Sequence, residues 1–262
     1  GIRDSSTSRG LGDVYKRQVV PFTHFALLAS EYMHTHGVSD EQVAMVAVKN
    51  HRNGSLNKFA QRQKVRTMQD VLSEPISGSL TRLQCCPVGE GAAAVILASE
   101  DGIKRLGLDA SRAVRIIGSA TRTEGLYGEG VGIDAALTSE TGADAFEEAG
   151  IEPSDLDVLE VHDAFAIEEL LYAEALGLCK AGEAASLIES GYFDIGGQCA
   201  LSPSGGLLAM GHPIGPTGVG QVVEVTRQLR GEAERRQQPN ARLGMAHMVG
   251  VGAVCVVHVL AK

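Results

Sequence analysis

The stretch Gly205-Gly206-Leu207-Leu208-Ala209-Met210-Gly211-His212-Pro213-Ile214-Gly215-Pro216-Thr217-Gly218 decides how the rest of this chain is read. Its glycines let the backbone turn tightly or approach a ligand closely, and they surround a single histidine. Pro216 or Thr217 then opens a helix, because Val219, Val222, Val223, Thr226 and Leu229 recur as one mostly apolar stripe. His212 is therefore expected on a tight loop just ahead of a helix N-terminus. The helix dipole there disfavours imidazolium, and a neutral ring can accept a proton or donate a hydrogen bond.

Working outward, the apolar run Leu156 to Val161 reads as a buried strand and Phe165 to Gly177 as the helix that follows it. His162 then stands at the carboxyl end of a strand, where open α/β sheets collect ligands, and Asp163 is placed to N-cap the helix. Upstream, residues 23–36 predict a helix with Phe25, Leu28, Ala29 and Tyr32 at helical spacing, and Ser39-Asp40 caps a second, short one. A long loop follows. Residues 92–98 predict a continuous apolar strand, and a break at Asp109-Ala110 precedes another strand opening at Val114 to Ala120. A helix over 139–149 and strands over 242–248 and 252–260, paired across a Gly250-Val251-Gly252 turn, complete the pattern. Helices alternating with buried strands predict an α/β fold of mixed sheets covered by helices.

The bulk numbers fit a globular protein and exclude several classes. With 262 residues, 44% of them hydrophobic, the chain can bury a real core. A net charge of −9 and a pI near 5.4 argue against a nucleic-acid binder, which needs clustered Lys and Arg. The longest apolar run is strand-sized, far below the roughly 20 residues of a membrane span. The five cysteines, Cys85, Cys86, Cys179, Cys199 and Cys255, show no CxxC pair and no zinc spacing, so reduced thiols and a cytoplasmic setting are expected. Residues 1–18 are polar, lack an apolar core and give way abruptly to Val19-Val20-Pro21-Phe22. They read as an unrelated or unstructured leader, with an Arg- and Ser-rich transit segment as the alternative. Without them the charge becomes −11. Between Lys49 and Arg66 the sign reverses: Lys49, Arg52, Lys58, Arg62, Lys64 and Arg66 stand with no Asp or Glu among them. Such a run is either a solvated basic face or an electrostatic seat for an anionic ligand.

Four blocks together carry a family resemblance. Gly211-His212-Pro213-Ile214-Gly215 with Thr217-Gly218 resembles the GHPxGxxG block of the thiolase superfamily. Val161-His162-Asp163-Ala164-Phe165 resembles the H-D-x-F variant of its N-E-A-F motif, and Cys85-Cys86-Pro87-Val88-Gly89-Glu90-Gly91-Ala92-Ala93-Ala94 resembles the strand entry of the sterol-carrier-type members. Lys49-Asn50-His51-Arg52-Asn53-Gly54 is similar to that subgroup's loop region. The resemblance implies a thiolase-like fold with an incomplete first half, residues 19–108, that includes a basic lid over coenzyme A, followed by a complete C-terminal half, residues 109–262. It implies that His212 lines the site for the thioester oxygen and helps activate a nucleophile, that His162 completes that site, and that the Gly250 amide belongs to a second one. Arg52 and Lys58 would belong to the coenzyme A seat. Cys86 and Ser204 fall near the pantetheine arm, although packing suits Cys86 at least as well. No permanently bound cofactor or metal is implied; coenzyme A and acyl-CoA enter as substrates.

Three departures qualify this. The family's CxG cysteine is replaced by Met248, whose thioether cannot shuttle a proton. The H-D-C-F cysteine is replaced by Ala164, and no cysteine precedes the basic run. The H-D-A-F form is similar to an archaeal and bacterial group, some of whose members work beside a small zinc-ribbon and OB-fold protein; homodimers or tetramers are also implied. Three readings follow: a thiolase-type acyltransferase, a retro-aldol lyase acting on 3-hydroxyacyl-CoA, which needs no nucleophilic cysteine, and a non-catalytic acyl-CoA or lipid-binding subunit. Little or no thiolase turnover is expected of the polypeptide as given. The sequence upstream of Val19, labelling with acetyl-CoA and assay of a 3-hydroxyacyl-CoA separate the three.

Overall fold

A computed structural model describes residues 21–124, 133–250 and 254–262. The expected leader therefore lies outside the described residues, as does most of the turn expected at 250–252. The strands are β1 (Pro75–Ser77), β2 (Leu80–Thr81), β3 (Arg115–Thr123), β4 (Val158–Glu160), β5 (Ala200–Leu201), β6 (Leu243–Gly250) and β7 (Val254–Ala261). β1 and β2 make a small hairpin, and the other five form one sheet in the order β3-β7-β6-β4-β5. β6 is the pivot. It runs antiparallel to β7, from Leu243↔Ala261 to Gly250↔Val254, and parallel to β4, with Glu160 opposite Ala246. The carboxyl ends of β4 and β6 thus reach the same end of the sheet, where His162 and Gly250 sit.

Nine α-helices surround these strands among the described residues: α1 (Pro21–His36), α2 (Asp40–Ser55), α3 (Met68–Leu72), α4 (Glu100–Arg105), α5 (Ile133–Ala149), α6 (Ala166–Ala175), α7 (Ala184–Glu189), α8 (Gly206–Ala209) and α9 (Thr217–Arg230). Alternation along the strands divides the core. Met245 and Val249 of β6 and Cys255, Val257 and Val259 of β7 face α5 and α6, with α1 and α2 packed beyond. Ala246 and Leu260 face Val225 and Leu229 of α9 on the other side. The sheet is therefore covered on both faces, as the sequence pattern predicts.

Three local expectations are corrected. The second helix is not short, and no loop begins at Lys49: α2 continues to Ser55 behind a Ser39/Gln42 capping box. The face that buries Val43, Ala44, Val46 and Ala47 carries on through Lys49, Asn50 and Asn53, which find buried partners. Residues 92–98 form no strand, and Ile96 is 93% exposed. Their composition suits a buried strand, but a strand needs neighbours for its N–H and C=O groups, and among the described residues none lies beside them. In α9 the expected stripe is rotated: Gln221, Glu224 and Gln228 are buried while Val223 is not. The reason is Arg236, itself buried, which holds Glu224 through two 2.8 Å bonds and accepts Gln228 Nε2 on its carbonyl at 2.8 Å.

Candidate active site

The H-D-x-F and G-H-P segments meet at the carboxyl end of β4. The rings of His162 and His212 stand edge to face, 5.2 Å between centroids at 84°. Each has one nitrogen committed elsewhere. Thr217 Oγ1 donates its single proton to the Pro213 carbonyl at 2.7 Å, so the Thr217 oxygen, 2.9 Å from His212 Nδ1, accepts from that ring. His212 Nε2 is then a bare acceptor. Burial first, and the facing His162 second, lower His212 to about 4, so it is neutral at pH 7. His162 Nδ1 lies 3.2 Å from Glu168 Oε1. That carboxylate also accepts the Phe165 amide at 2.8 Å and the Tyr172 hydroxyl at 3.0 Å.

Beneath the rings lies a buried polar network that fixes both loops. Asp163 does not N-cap α6; Phe165 holds that position, with its amide bonded to Glu168. Asp163 instead accepts from Leu207 N at 2.6 Å and from Asn50 Nδ2 at 2.6 Å, tying the H-D-A-F segment to α8 and α2. Burial and the nearby Glu169 push its carboxyl well up. Gly206 is required here, because a Cβ would run into the Asp163 carboxylate and its φ of +58° is left-handed. Lys49 is fully enclosed: its ammonium pairs with Glu169 at 2.9 Å and donates to Asn50 Oδ1 and Leu201 O, both at 2.6 Å. Gly54 meets Gly205 backbone to backbone, since a Cβ on Gly205 would fall 2.7 Å from Gly54 Cα. Amides of Gln61 and Arg62 bond Met210 O and Ala209 O just ahead of His212.

His247 is a member of the site that the sequence reading missed. It faces the core from β6, accepts the His162 amide on Nδ1 at 3.4 Å, and meets Thr138 Oγ1 at 2.9 Å through Nε2. One signal was available, a polar residue at an inward position of the apolar run Met245-Ala246-His247-Met248. Burial, then His162, lowers His247 to about 3. An unfolded histidine binds its proton near pH 6.5 and this folded one does not, so the unfolded state gains protons first as pH falls. We expect the parent to lose stability relative to His247→Gln progressively below about pH 6.5. Urea midpoints of both proteins across pH 7.5 to 5 test this; a pH-independent difference would remove His247 from the acid response.

The remaining candidates are dispersed. A cavity of about 740 Å³ opens between residues 57–61, 89–94 and α9. Gly211, Pro213 and Thr217 line it but neither imidazole does, so it adjoins the histidines rather than enclosing them. Ser204 lines it too, with its amide and hydroxyl on Glu160 at 2.8 and 2.7 Å. Gly250 ends β6 at the same end of the sheet as His162. Arg52 pairs with Asp194 at 2.5 Å and Lys58 with Glu234 at 2.6 Å, while Arg62 donates to Cys85 O and Leu208 O. The Cys86 amide bonds Ala164 O at 2.8 Å. Burial raises every thiol: Cys85 to about 11, Cys86, Cys179 and Cys199 to about 12, and Cys255 in the same direction. None of them is an activated thiolate.

The description "Thiolase C-terminal domain-like" fits the family model that matches residues 132–262. "Sterol carrier protein 2" of Oryctolagus cuniculus is 41% identical over 241 residues, covering 89% of this chain and 44% of that protein. "Acetyl-CoA acetyltransferase" of Methanothermobacter thermautotrophicus is 39% identical over 242 residues, covering 91% of this chain and 62% of that protein. The chain thus spans about half the length of the curated relatives it matches. A solved structure named "Ltp2-ChsH2(DUF35) aldolase" superposes with a TM-score of 0.75 at 21% identity, covering 100% of this chain and 69% of that one, which shows a shared fold. No helix of the described residues is long and apolar enough to cross a membrane. From the family match over half its length, the chain belongs to the thiolase superfamily.

Proposed function

We propose that this protein acts on acyl-CoA thioesters as a thiolase-type acyltransferase, and that its own residues supply the enolate-forming step. The observation that carries this is the pair of facing imidazoles, one held neutral with Nε2 free and the other backed by a carboxylate. Enolate formation needs an acceptor for the C2 proton and a donor for the oxygen on which charge develops. His212 Nε2 suits the first role. His162 suits the second, because Glu168 can balance a ring that holds a proton at each nitrogen. The proton moves from C2 to His212, the C–H pair becomes the C1–C2 double bond, and the carbonyl pair goes to the oxygen against His162. The enolate then re-forms its carbonyl as C2 attacks a second acyl thioester, whose coenzyme A leaves as a thiolate and takes the proton from His212. The acetyltransferase name of the archaeal relative supports this reading.

One observation favours a second reading. With Ala164 and Met248 where the family has cysteines, and all five thiols held protonated, retro-aldol cleavage of a 3-hydroxyacyl-CoA needs nothing the site lacks. A base takes the 3-hydroxyl proton, the oxygen pair forms the C3 carbonyl as the C2–C3 bond breaks, and the pair of that bond enters the same enolate, which is then protonated at C2. The name of the aldolase that shares the fold agrees with it, and a small zinc-ribbon and OB-fold protein is the partner we would look for, on a homodimer or tetramer. The experiment common to both readings is exchange of acetyl-CoA methyl protons with D₂O by the natural full-length protein. Exchange well above buffer is expected. Its absence in protein shown to bind acetyl-CoA would overturn the enolate chemistry and leave an acyl-CoA-binding subunit. Acetoacetyl-CoA and a 3-hydroxyacyl-CoA then separate acyltransfer from cleavage.

A further inference from the structure

We propose that Glu168 is a positioning residue that sets which nitrogen of His162 faces the substrate. This rests on the acyl-CoA reading for its consequence but not for its geometry. Glu168 is almost fully buried in the first turn of α6, and its two oxygens meet three groups. Oε2 takes the Phe165 N–H at 2.8 Å, and Oε1 takes the Tyr172 hydroxyl at 3.0 Å with His162 Nδ1 at 3.2 Å. Burial and Glu168 itself push the Tyr172 phenol far up, so it keeps its proton and donates. A carboxylate only accepts, so the third contact requires a proton on His162 Nδ1, and the proton donated to the substrate oxygen is a second one, on Nε2. Nε2 is then the nitrogen left for the substrate.

The other face of the ring reinforces this. The His162 backbone amide is anchored on His247 Nδ1, and the Tyr172 ring packs against His247 at 5.0 Å. His212 stands across the site, and Cys86 is close enough to feel the Glu168 charge. Of these neighbours, Glu168 alone is an acceptor for Nδ1–H within hydrogen-bond distance. The arrangement follows the logic of a carboxylate that fixes the tautomer of a working imidazole and balances the charge it gains. It gives a two-histidine site an asymmetry that the rings themselves lack.

The test uses ¹⁵N-histidine-labelled chain and reads ring nitrogen shifts. In the parent, His162 Nδ1 is expected to be protonated and hydrogen-bonded. Glu168→Gln keeps the shape, but its single oxygen is taken by the Phe165 amide and its NH₂ turns toward Nδ1. Nδ1 should then lose its proton, leaving His162 protonated on Nε2 alone. In the full-length protein this variant should slow acetyl-CoA proton exchange at least about 10-fold, with little change in KM, because a charge-assisted hydrogen bond to the oxygen is replaced by a weaker neutral one. Tyr172→Phe removes the other Oε1 donor and should leave the tautomer unchanged, which separates loosening of α6 from the effect on the ring. A parent spectrum with unprotonated Nδ1 overturns the proposal whether or not the variant folds, and so does a Glu168→Gln spectrum identical to the parent. Parent protein with the expected tautomer but no exchange would instead overturn the acyl-CoA reading.

Discussion

His212→Ala in the natural full-length protein should lower acetyl-CoA proton exchange by at least about 100-fold, the usual cost of removing a positioned acid or base. The expectation is strong because His162, the facing ring, is taken up by the thioester oxygen in the proposed step and no other neighbour among the described residues can substitute. His247 is sealed in the core, the five thiols are held protonated, and Met248 and Ala164 carry no group that can exchange a proton. The fold should tolerate the change, since His212 is only partly buried and its one polar partner, Thr217, keeps its bond to Pro213. Thr217→Val serves as a graded companion: it spares the imidazole and removes the group that orients it. Turnover within threefold of the parent in His212→Ala, with unchanged substrate binding, would take His212 out of the mechanism.

Lys49→Met should destabilise the protein by about 3–5 kcal/mol, the range for breaking a buried ion pair by deleting one partner. Lys49 and Glu169 have side-chain exposures of 2% and 0% and meet at 2.9 Å, so the carboxylate left behind has no water to turn to. Leu201 O and Asn50 Oδ1 lose their donor as well. Removing both charges together, Lys49→Met with Glu169→Leu, should recover most of the loss, because the penalty lies in the unpaired charge more than in the missing attraction. Urea unfolding of the three proteins measures this. A loss below about 1 kcal/mol in Lys49→Met would place the pair among ordinary surface bridges.

The same residue shows where sequence reading reached and where it stopped. Lys49 carries a charge in a run of like charges, and periodicity alone gives no reason to bury it; its partners Glu169 and Leu201 are more than a hundred residues away. Asp163 misled in the same way. Local rules favour a cap, but Leu207 and Asn50 compete for the carboxylate from distant segments and win. The His212 loop, the helix after it, the paired C-terminal strands and the position of His162 beyond β4 were legible because glycine spacing and strand alternation are local signals. Residues 92–98 show the converse: an apolar run states a preference that only neighbouring strands can satisfy. Glu168 was legible in principle, as an acidic residue six positions past His162, yet its neighbour Glu169 is equally acidic and points the other way, toward Lys49.

The contact of Gly54 with Gly205 has a practical consequence. With Asn50 on Asp163, Asn53 on Ser202 O and Asn57 on Ser204 O, the second helix and the turn behind it act as a splint for the loops that carry His162 and His212. Trimming the chain to the 132–262 segment would strip those loops of every one of these supports and leave Glu169 without its counter-charge. A piece that keeps these supports must include residues 50–57, so the stretch matched by the family model and the stretch that braces the two loops have different edges in this protein.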